Sequence, residues 1–574
     1  MRSVIVGAGP TGLYTAVALA RRGHQVTVID RDPGPDGGQW WDRKGVMQFH
    51  HPHHFRQQVV DALLAEMPEV CRGLLAAGAV PATVPGQPGV PAGLHCRRLT
   101  FERVLRAAAQ AEPGLRLRTG HVDAVCAERG RVTAVMAGGR QVDADLVIDA
   151  GGRAGRLARD LRKPAEGGDC GIAYVSRQYQ MLPGAAAGPV NMPFGVMVTY
   201  PGYLAAVFIH DNRILSALIA RASADRQLAA LRTRAAFDAA ARAIPALAAW
   251  IDPGQARPVT PVLPGGRLYN SYRAQLNDAG RVALDGLISA GDSVCTTNPA
   301  AGRGVTTSLL QARQLIALLA EHGRDFTSCS LAFDHWCAGR IKPWFDDHVY
   351  WDADLIRRWS GQDVDLARPL PPDLIIAAGQ ADPQIAKAVG PYQAMLAPPS
   401  SLDAVQARAR DLYATGWRPP TPPGPTRDEL ASLVTAAARA YPAEDAALSA
   451  AAAPARPPPS RPHGTAPSGR RAKGRPSHYG ATLPAEGGRA AGGVMVWIGG
   501  PRRDPGDRLG RGRRGLYLHD PPPGYHPPQS RMSLKDRQRI ARQDWILEHV
   551  LTVILILSAA AVIVIICLII ATHH

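Results

Sequence analysis

Four histidines, His50, His51, His53 and His54, fall within five positions of the stretch GVMQFHHPHHFR, residues 45–56. Imidazoles this dense can ligate a metal, move protons or line a ligand pocket. Pro52 biases His51 towards extended backbone, so His51 and His53, two positions apart, are expected to point to the same side. Two histidines are too few for a zinc site. No Cys, His or Asp group elsewhere in the chain has the spacing of further ligands, so no metal is expected. His51 and His53 stand instead as candidate catalytic residues, for polar work beside a ligand.

A second constellation lies in SVIVGAGPTGLYTAVALARRGHQVTVIDRD, residues 3–32. An apolar strand runs into Gly7-Ala8-Gly9-Pro10-Thr11-Gly12, a helical pattern follows, and a second strand ends at Asp30. Gly7 permits a tight turn, Gly9 lets backbone approach a pyrophosphate, and Gly12 lets helix and strand pack closely. The helix N-terminus offers free N–H groups and its positive dipole end to phosphates. Asp30, 18 residues after Gly12, is placed to accept hydrogen bonds from a ribose. Arg31 beside it leaves a 2′-phosphate, and hence NADP, open.

Two later segments narrow the ligand. VDADLVIDAGGRAGR, residues 142–156, is a strand ending at Asp149-Ala150-Gly151-Gly152. ISAGDSVCTTNPAAGRGVTTSLLQAR, residues 288–313, is a strand ending at Gly291-Asp292, a loop with Pro299, then Gly302-Arg303-Gly304 opening an amphipathic helix. Together the three segments resemble the para-hydroxybenzoate hydroxylase-type flavoprotein monooxygenases. The last is similar to a subgroup motif, Gly-Asp-x-x-Cys-x-x-Asn-Pro-x-x-Gly-x-Gly, matched by Gly291, Asp292, Cys295, Asn298, Pro299, Gly302 and Gly304. Two departures are visible: the middle motif lacks its usual serine, and Ser293-Val294-Cys295 stands where Ala-Ala-His is common.

The resemblance covers roughly residues 1–450 and implies FAD as cofactor. It implies contacts from Gly7, Gly9, Pro10, Gly12, Asp30 and Arg31 on the ADP side, and from Asp149, Gly291, Asp292, Pro299, Gly302 and Gly304 elsewhere. The subgroup often reads Arg-x-Gly-Val-Pro-Gln-x-x-His-x-His before the first crossover helix; Arg43 and Gln48 match it as cofactor contacts, and Met47 replaces the proline. In CRRLTFERVLRAAAQ, residues 96–110, Arg98 matches the family's cofactor arginine, with Arg97 second. The implied activity is a monooxygenase in which NAD(P)H, bound transiently, reduces FAD, and O2 activated there oxygenates a small lipophilic or aromatic substrate. Only one dinucleotide fingerprint is present, which argues against two-dinucleotide reductases. Two alternatives remain: a flavin-dependent reductase of an unsaturated isoprenoid-like lipid, and a non-catalytic membrane-tethered electron carrier. A halogenase is disfavoured, because Trp-x-Trp-x-Ile-Pro is absent.

The fold class expected to position these residues is α/β. Residues 1–165 and 266–330 form a Rossmann-like FAD-binding domain in three layers (ββα). Residues 166–265 form a mainly antiparallel β substrate domain, in which Tyr174, Arg177 and Tyr179 could line the pocket from one strand face. Residues 331–450 are a helical C-terminal region. Residues 451–545 are a disordered linker, with 15 prolines between Pro454 and Pro528. Residues 546–572 are a transmembrane helix, uncharged over the 22 residues from Val550 to Ala571. Basic residues before it place the catalytic domain on the cytoplasmic side of a membrane anchor.

The net charge of +17 does not indicate nucleic acid. From Ala455 to Trp545 there are 18 Lys and Arg but only 6 Asp and Glu, so the excess sits in the linker. Eight cysteines without a CxxC pair, in a chain that opens directly on a strand, suggest reduced thiols and no signal peptide.

Overall fold

The computed structural model describes residues 1–37 and 41–440. In chain order the elements that build the site are β1 (Arg2–Val6), α1 (Pro10–Arg21), β2 (Gln25–Asp30), α2 (Arg98–Ala111), β3 (Leu115–Thr119), β4 (Leu146–Asp149), β5 (Ile172–Met181), β6 (Gly195–Tyr200), β7 (Tyr203–Ile209), β8 (Ile214–Ala222), β9 (Leu287–Ser289), α3 (Gly304–His322), α4 (Lys342–Trp359) and α5 (Arg427–Ala440).

Five strands pair in parallel in the order β9-β4-β1-β2-β3. Successive side chains alternate faces, and here both faces are buried, as a parallel sheet requires. Ile5, Val28 and Ile148 face the helices, where α1 packs against α2 and α3. Val4, Ile29 and Val147 face a three-stranded antiparallel sheet of residues 122–143, through Val122, Val125, Val132 and Val135. This is the Rossmann-like three-layer arrangement. On α2, Phe101, Leu105 and Ala109 recur every four residues and form the buried stripe. Arg97, the residue before α2, is held by Asp211: its Nη2 donates to Oδ2 at 2.6 Å and its backbone N–H to Oδ1 at 2.5 Å. That contact pins the substrate domain to α2.

The substrate domain is a six-stranded antiparallel sheet of order β6-β7-β8-β5 followed by Ala256–Pro258, with Leu263–Gly265 also pairing with β5. One face is covered by helices Arg234–Ala243 and Pro245–Ile251, with Phe237, Leu247 and Trp250 fully buried against Tyr203, Leu215 and Ile219. The other face turns towards the histidine loop. The pocket strand expected from Tyr174, Arg177 and Tyr179 is corrected by this geometry. Residue 174 has the opposite parity to 177 and 179, so a strand sends it to the other face. Tyr179 joins the helix-covered core, and Arg177 donates to Asp238 at 2.6 Å. Tyr174 alone faces the loop, with its ring 4.8 Å from His51.

The C-terminal region is helical. Its last described helix, α5, packs away from its neighbours in sequence: Leu430, Ala431 and Val434 are part of the substrate sheet's own core. Tyr200 and Tyr203 anchor the preceding strap by donating to the carbonyls of Pro423 and Pro425, at 2.8 and 2.5 Å.

Among the described residues, no helix is long and apolar enough to cross a membrane. Even the longest, α3 and α4 with 19 and 18 residues, carry charged and polar side chains on one face. This corrects the expected transmembrane helix, the membrane partner and the membrane-anchored, cytoplasmic localisation. Residues 451–545 and 546–572, on which those expectations rested, lie outside the described residues.

Candidate functional site

β1 ends at Val6, and the chain turns at Gly7 with φ +106°. A Cβ on Gly7 would lie 2.4 Å from the carbonyl oxygen of Ala150, and one on Gly12 would lie 1.9 Å from that of Gly7. Both positions admit only hydrogen. A Cβ on Gly9 would meet nothing nearer than Arg43, at 4.0 Å, because Gly9 faces an open cleft. α1 starts there with Pro10 in its first turn and no capping side chain, so its N-terminal donors remain available for a ligand's phosphates. α3 likewise begins at the cleft with no side-chain cap. These cradles fit a dinucleotide bound at two helix ends.

A buried chain of charges runs beside α1. Asp30 Oδ2 accepts from the Ala8 N–H at 2.5 Å and from Arg43 Nη2 at 2.7 Å. Arg43 also donates to the Ala8 carbonyl at 3.0 Å and to Glu102 Oε2 at 2.5 Å. Glu102 is fully buried, and its second oxygen accepts from Arg98 Nε. Burial disfavours the Arg43 cation, but Glu102 and Asp30 outweigh burial and raise its pKa. Asp292 lies across the cleft and accepts from Ser308 Oγ at 3.4 Å. It opens onto the cleft yet is ringed by protein. That desolvation raises its pKa, against the lowering by Arg98 and Ser308.

The four histidines separate. The His51 ring meets Ser176 Oγ on β5 at 2.7 Å, away from the cleft. His53 lines the cleft; its Nδ1–H donates to the His51 carbonyl at 2.9 Å, and Nε2 lies 3.5 Å from Arg98. His54 also lines the cleft, with its Nδ1 buried and without a hydrogen-bond partner. His50 sits near Asp42, 3.6 Å away. Burial pushes His51 down to about 4, with help from His50, and His53 down to about 3, with help from Arg98. His54 is pushed well below its ordinary value by burial, Arg56 and His95. All three rings are therefore neutral at neutral pH. Beside them the wall is aromatic: Phe208 of β7 lines the cleft and stacks on Phe194, centroids 4.3 Å apart.

Of the residues singled out by sequence, the cleft collects Gly7, Gly9, Pro10, Asp30, Arg31, Arg43, Gln48, His53, Arg98, Asp292, Pro299, Gly302 and Gly304. Gly12, Asp149, Gly291 and His51 stand behind its surface. Gly12 packs on Gly7. Asp149 accepts from the Gly151 N–H at 3.0 Å, and the Gly291 N–H donates to Gln311 at 3.0 Å. Sequence reasoning missed His54, Thr297 and Phe208. His54 had a local signal, lying in the same histidine run. Phe208 had none, because only the tertiary fold brings β7 to the cleft. Among the described residues no three His, Cys, Asp or Glu side chains are grouped to hold a metal.

A second cavity, of about 480 Å³, adjoins the cleft and shares Arg153 and Asp292 with it. Arg153, Arg159, Arg162, Arg267 and Arg273 line it, and among the described residues none of the five forms a direct ion pair. Burial lowers Arg162 to about 10. Of the lining acids, Glu166 is held by Lys342 at 3.1 Å, and Asp169 accepts from the Gly171 N–H at 2.7 Å.

Residues 2–76 match the family model described as FAD dependent oxidoreductase, and residues 43–166 match the model described as tryptophan halogenase. Protein Rv3254 of Mycobacterium tuberculosis is 27% identical over 350 residues, which cover 54% of this chain and 72% of that protein. D-amino acid dehydrogenase 2 of Ralstonia nicotianae is 43% identical over 51 residues, 9% of this chain. The match spans only 12% of that dehydrogenase. The solved structure of the flavin-dependent brominase Bmp2 is similar with a TM-score of 0.53 at 14% identity, covering 73% of this chain and all of that one. At that identity the likeness concerns the fold alone. The two family models overlap at residues 43–76, which hold the histidine loop, and between them they span the glycine motif and the Asp149 strand, whose geometry fits a dinucleotide; the chain is an FAD-dependent oxidoreductase.

Proposed function

We propose that the protein is an NAD(P)H- and O2-using monooxygenase of an apolar or aromatic small molecule. The observation that carries this reading is the change of character along one cleft. It is charged and backbone-rich at Gly9, Asp30 and Arg98, and neutral and aromatic at His53, His54 and Phe208. On this reading the N-terminus of α1 and Asp30 hold the ADP half of FAD, and Asp292 with the Pro299–Gly304 loop holds the other half. Bound FAD supplies electron transfer and O2 activation. The chain's residues bind it, exclude water and orient the substrate. The neutral imidazoles donate or accept hydrogen bonds without placing a charge beside an apolar substrate. The arginine-lined cavity of about 480 Å³ next to the cleft supports a phosphate-bearing donor such as NADPH.

The match of residues 43–166 to the tryptophan halogenase model favours a second reading, in which the same reduced flavin and O2 oxidise a halide. The isoprenoid reductase and the tethered carrier lose the membrane argument that recommended them.

The deciding experiment supplies the FAD-loaded protein with NADPH or NADH and a panel of phenols, indoles and other small aromatics, with and without bromide or chloride. A product gaining one oxygen atom in an O2-dependent reaction is the expected result. A halogenated product that requires halide would replace oxygenation by halogenation. Turnover without O2 would make the protein a reductase, and FAD reduction with no product at all would make it a carrier.

A further inference from the structure

The loop that carries Pro299, Gly302 and Gly304 into the cleft is gripped from behind by α4. Asn298 Oδ1 accepts from the Ala300 N–H at 3.1 Å, and Asn270 Oδ1 accepts from the Asn298 N–H at 2.6 Å. These backbone donors fix the orientation of both side-chain amides, so both Nδ2 groups must point the other way. They converge on Asp352. Asn298 Nδ2 donates to Oδ1 at 2.8 Å, and Asn270 Nδ2 donates to Oδ2 at 2.6 Å. Two donors facing one buried residue demand an acceptor at each oxygen, which a carboxylate supplies at full strength, a protonated acid only weakly at its hydroxyl oxygen, and an amide not at all at its nitrogen. Five residues earlier on α4, Asp347 accepts from Arg303 Nη1 at 2.5 Å, fixing the loop's other end.

We propose that Asp352 is the positioning residue of this loop: its carboxylate fixes Asn298, and through it the Pro299–Gly304 segment, against the flavin, and protonation of the carboxyl releases one of the two amides. Asp352 touches no ligand itself. The inference rests on FAD occupying the cleft, and on no particular reaction.

The surroundings let that proton come and go in an accessible range. Burial raises the Asp352 pKa to about 6, while Asn270 and Asn298 lower it, Asp373 raises it and Arg303 lowers it. Asp373 belongs to the helix Pro372–Ala378 and Arg303 to the loop. Cys170, before β5, also interacts with it, and its thiol is pushed up to about 12 by burial. Above pH 6 the carboxylate holds both amides; below it, one oxygen carries a hydrogen that meets an amide N–H.

The test is FAD affinity of the full-length chain, read by flavin fluorescence from pH 5 to 8, with circular dichroism at each pH to confirm folding. In the wild type, Kd should rise about tenfold as pH falls from 7.5 to 5, with its midpoint near 6. Asp352→Asn imitates the protonated acid and should bind weakly at every pH, with no midpoint near 6. Asn298→Ala removes the loop's handle and should be equally flat, so it decides the question if Asp352→Asn does not fold. A wild type with pH-independent affinity, or a variant that titrates like the wild type, overturns the proposal. A folded wild type that binds no FAD at pH 7.5 removes the flavoprotein reading, and this inference with it.

Discussion

The two ends of the cleft solve opposite problems. At the glycine end the buried charges form a chain of protein partners: Asp30 has Arg43, Arg43 has Glu102, and Glu102 has Arg98. At the histidine end polar atoms are left waiting: His54 Nδ1 and Thr297 Oγ1 are buried without partners. Unsatisfied buried polar groups cost stability, about 1–3 kcal/mol each, and mark places where a ligand completes the set. The first end is built before its ligand arrives; the second is finished by it. Substitutions of packed groups at the first end should therefore damage folding and FAD binding together, whereas those of groups that only face the cleft at the second should affect turnover at neutral pH.

The largest separation is expected between two glycines of one motif. Gly12→Ala would drive a carbon to 1.9 Å from the Gly7 carbonyl oxygen, so α1 must leave β1. We expect a loss of about 3 kcal/mol or more in stability and a protein that retains no FAD. Gly9→Ala meets nothing within 4.0 Å except Arg43, so the FAD-free protein should melt like the wild type while FAD binds about tenfold more weakly. If both variants fold normally and both bind FAD, the glycine end is not the preformed half.

Glu102→Gln comes next. Glu102 is fully buried between two arginines, and its removal leaves Arg43 and Arg98 short of a counter-charge. Breaking a buried pair in this way costs about 3 kcal/mol. Chemical denaturation of the FAD-free protein reads the loss, and FAD titration should show weaker binding. A neutral result would mean that Arg43 and Arg98 are positioned by backbone alone.

The histidine end has a pH signature. His51 and His53 have folded-state pKa values pushed down to about 4 and about 3 by burial, from an ordinary value of 6.5. The unfolded chain therefore binds protons first. Stability is full above pH 6.5 and falls as pH drops from 6.5 towards 4, by roughly 1.4 kcal/mol per pH unit for each ring. Thermal midpoints of the FAD-free protein between pH 7.5 and 4.5 should trace that fall, and His51→Phe should make it shallower by one ring's share. A midpoint constant over this range would show the rings to be solvated.

What the sequence made legible follows from the range of the forces involved. The glycine spacing, Asp30 and the strand ends at Asp149 and Gly291 are set by contacts within a few residues of backbone, so they read off locally. Arg43 and Arg98 were recognisable as cleft residues, but nothing local discloses that Glu102 binds both. Neighbours Arg97 and Arg98 look alike in sequence; Asp211, more than a hundred residues away, takes one of them out of the cleft. His51 and His53 were expected on one side by strand parity, yet the segment is a loop, and Ser176 turns His51 outwards. Phe208 and α5 escaped because each meets its partners only across the fold.

The smallest effect is the sharpest test of the contrast. In His53→Asn the amide N–H can replace Nδ1–H as donor to the His51 carbonyl, so the loop keeps its internal bond. Only the nitrogen near Arg98 is lost from the cleft. FAD affinity should stay within about twofold and the thermal midpoint should hardly move, while turnover of the best substrate falls about tenfold, the equivalent of one hydrogen bond. A matching loss of FAD affinity would assign His53 to the preformed end. Unchanged turnover would leave His54 and the Phe208 wall as the groups that complete the site around a substrate.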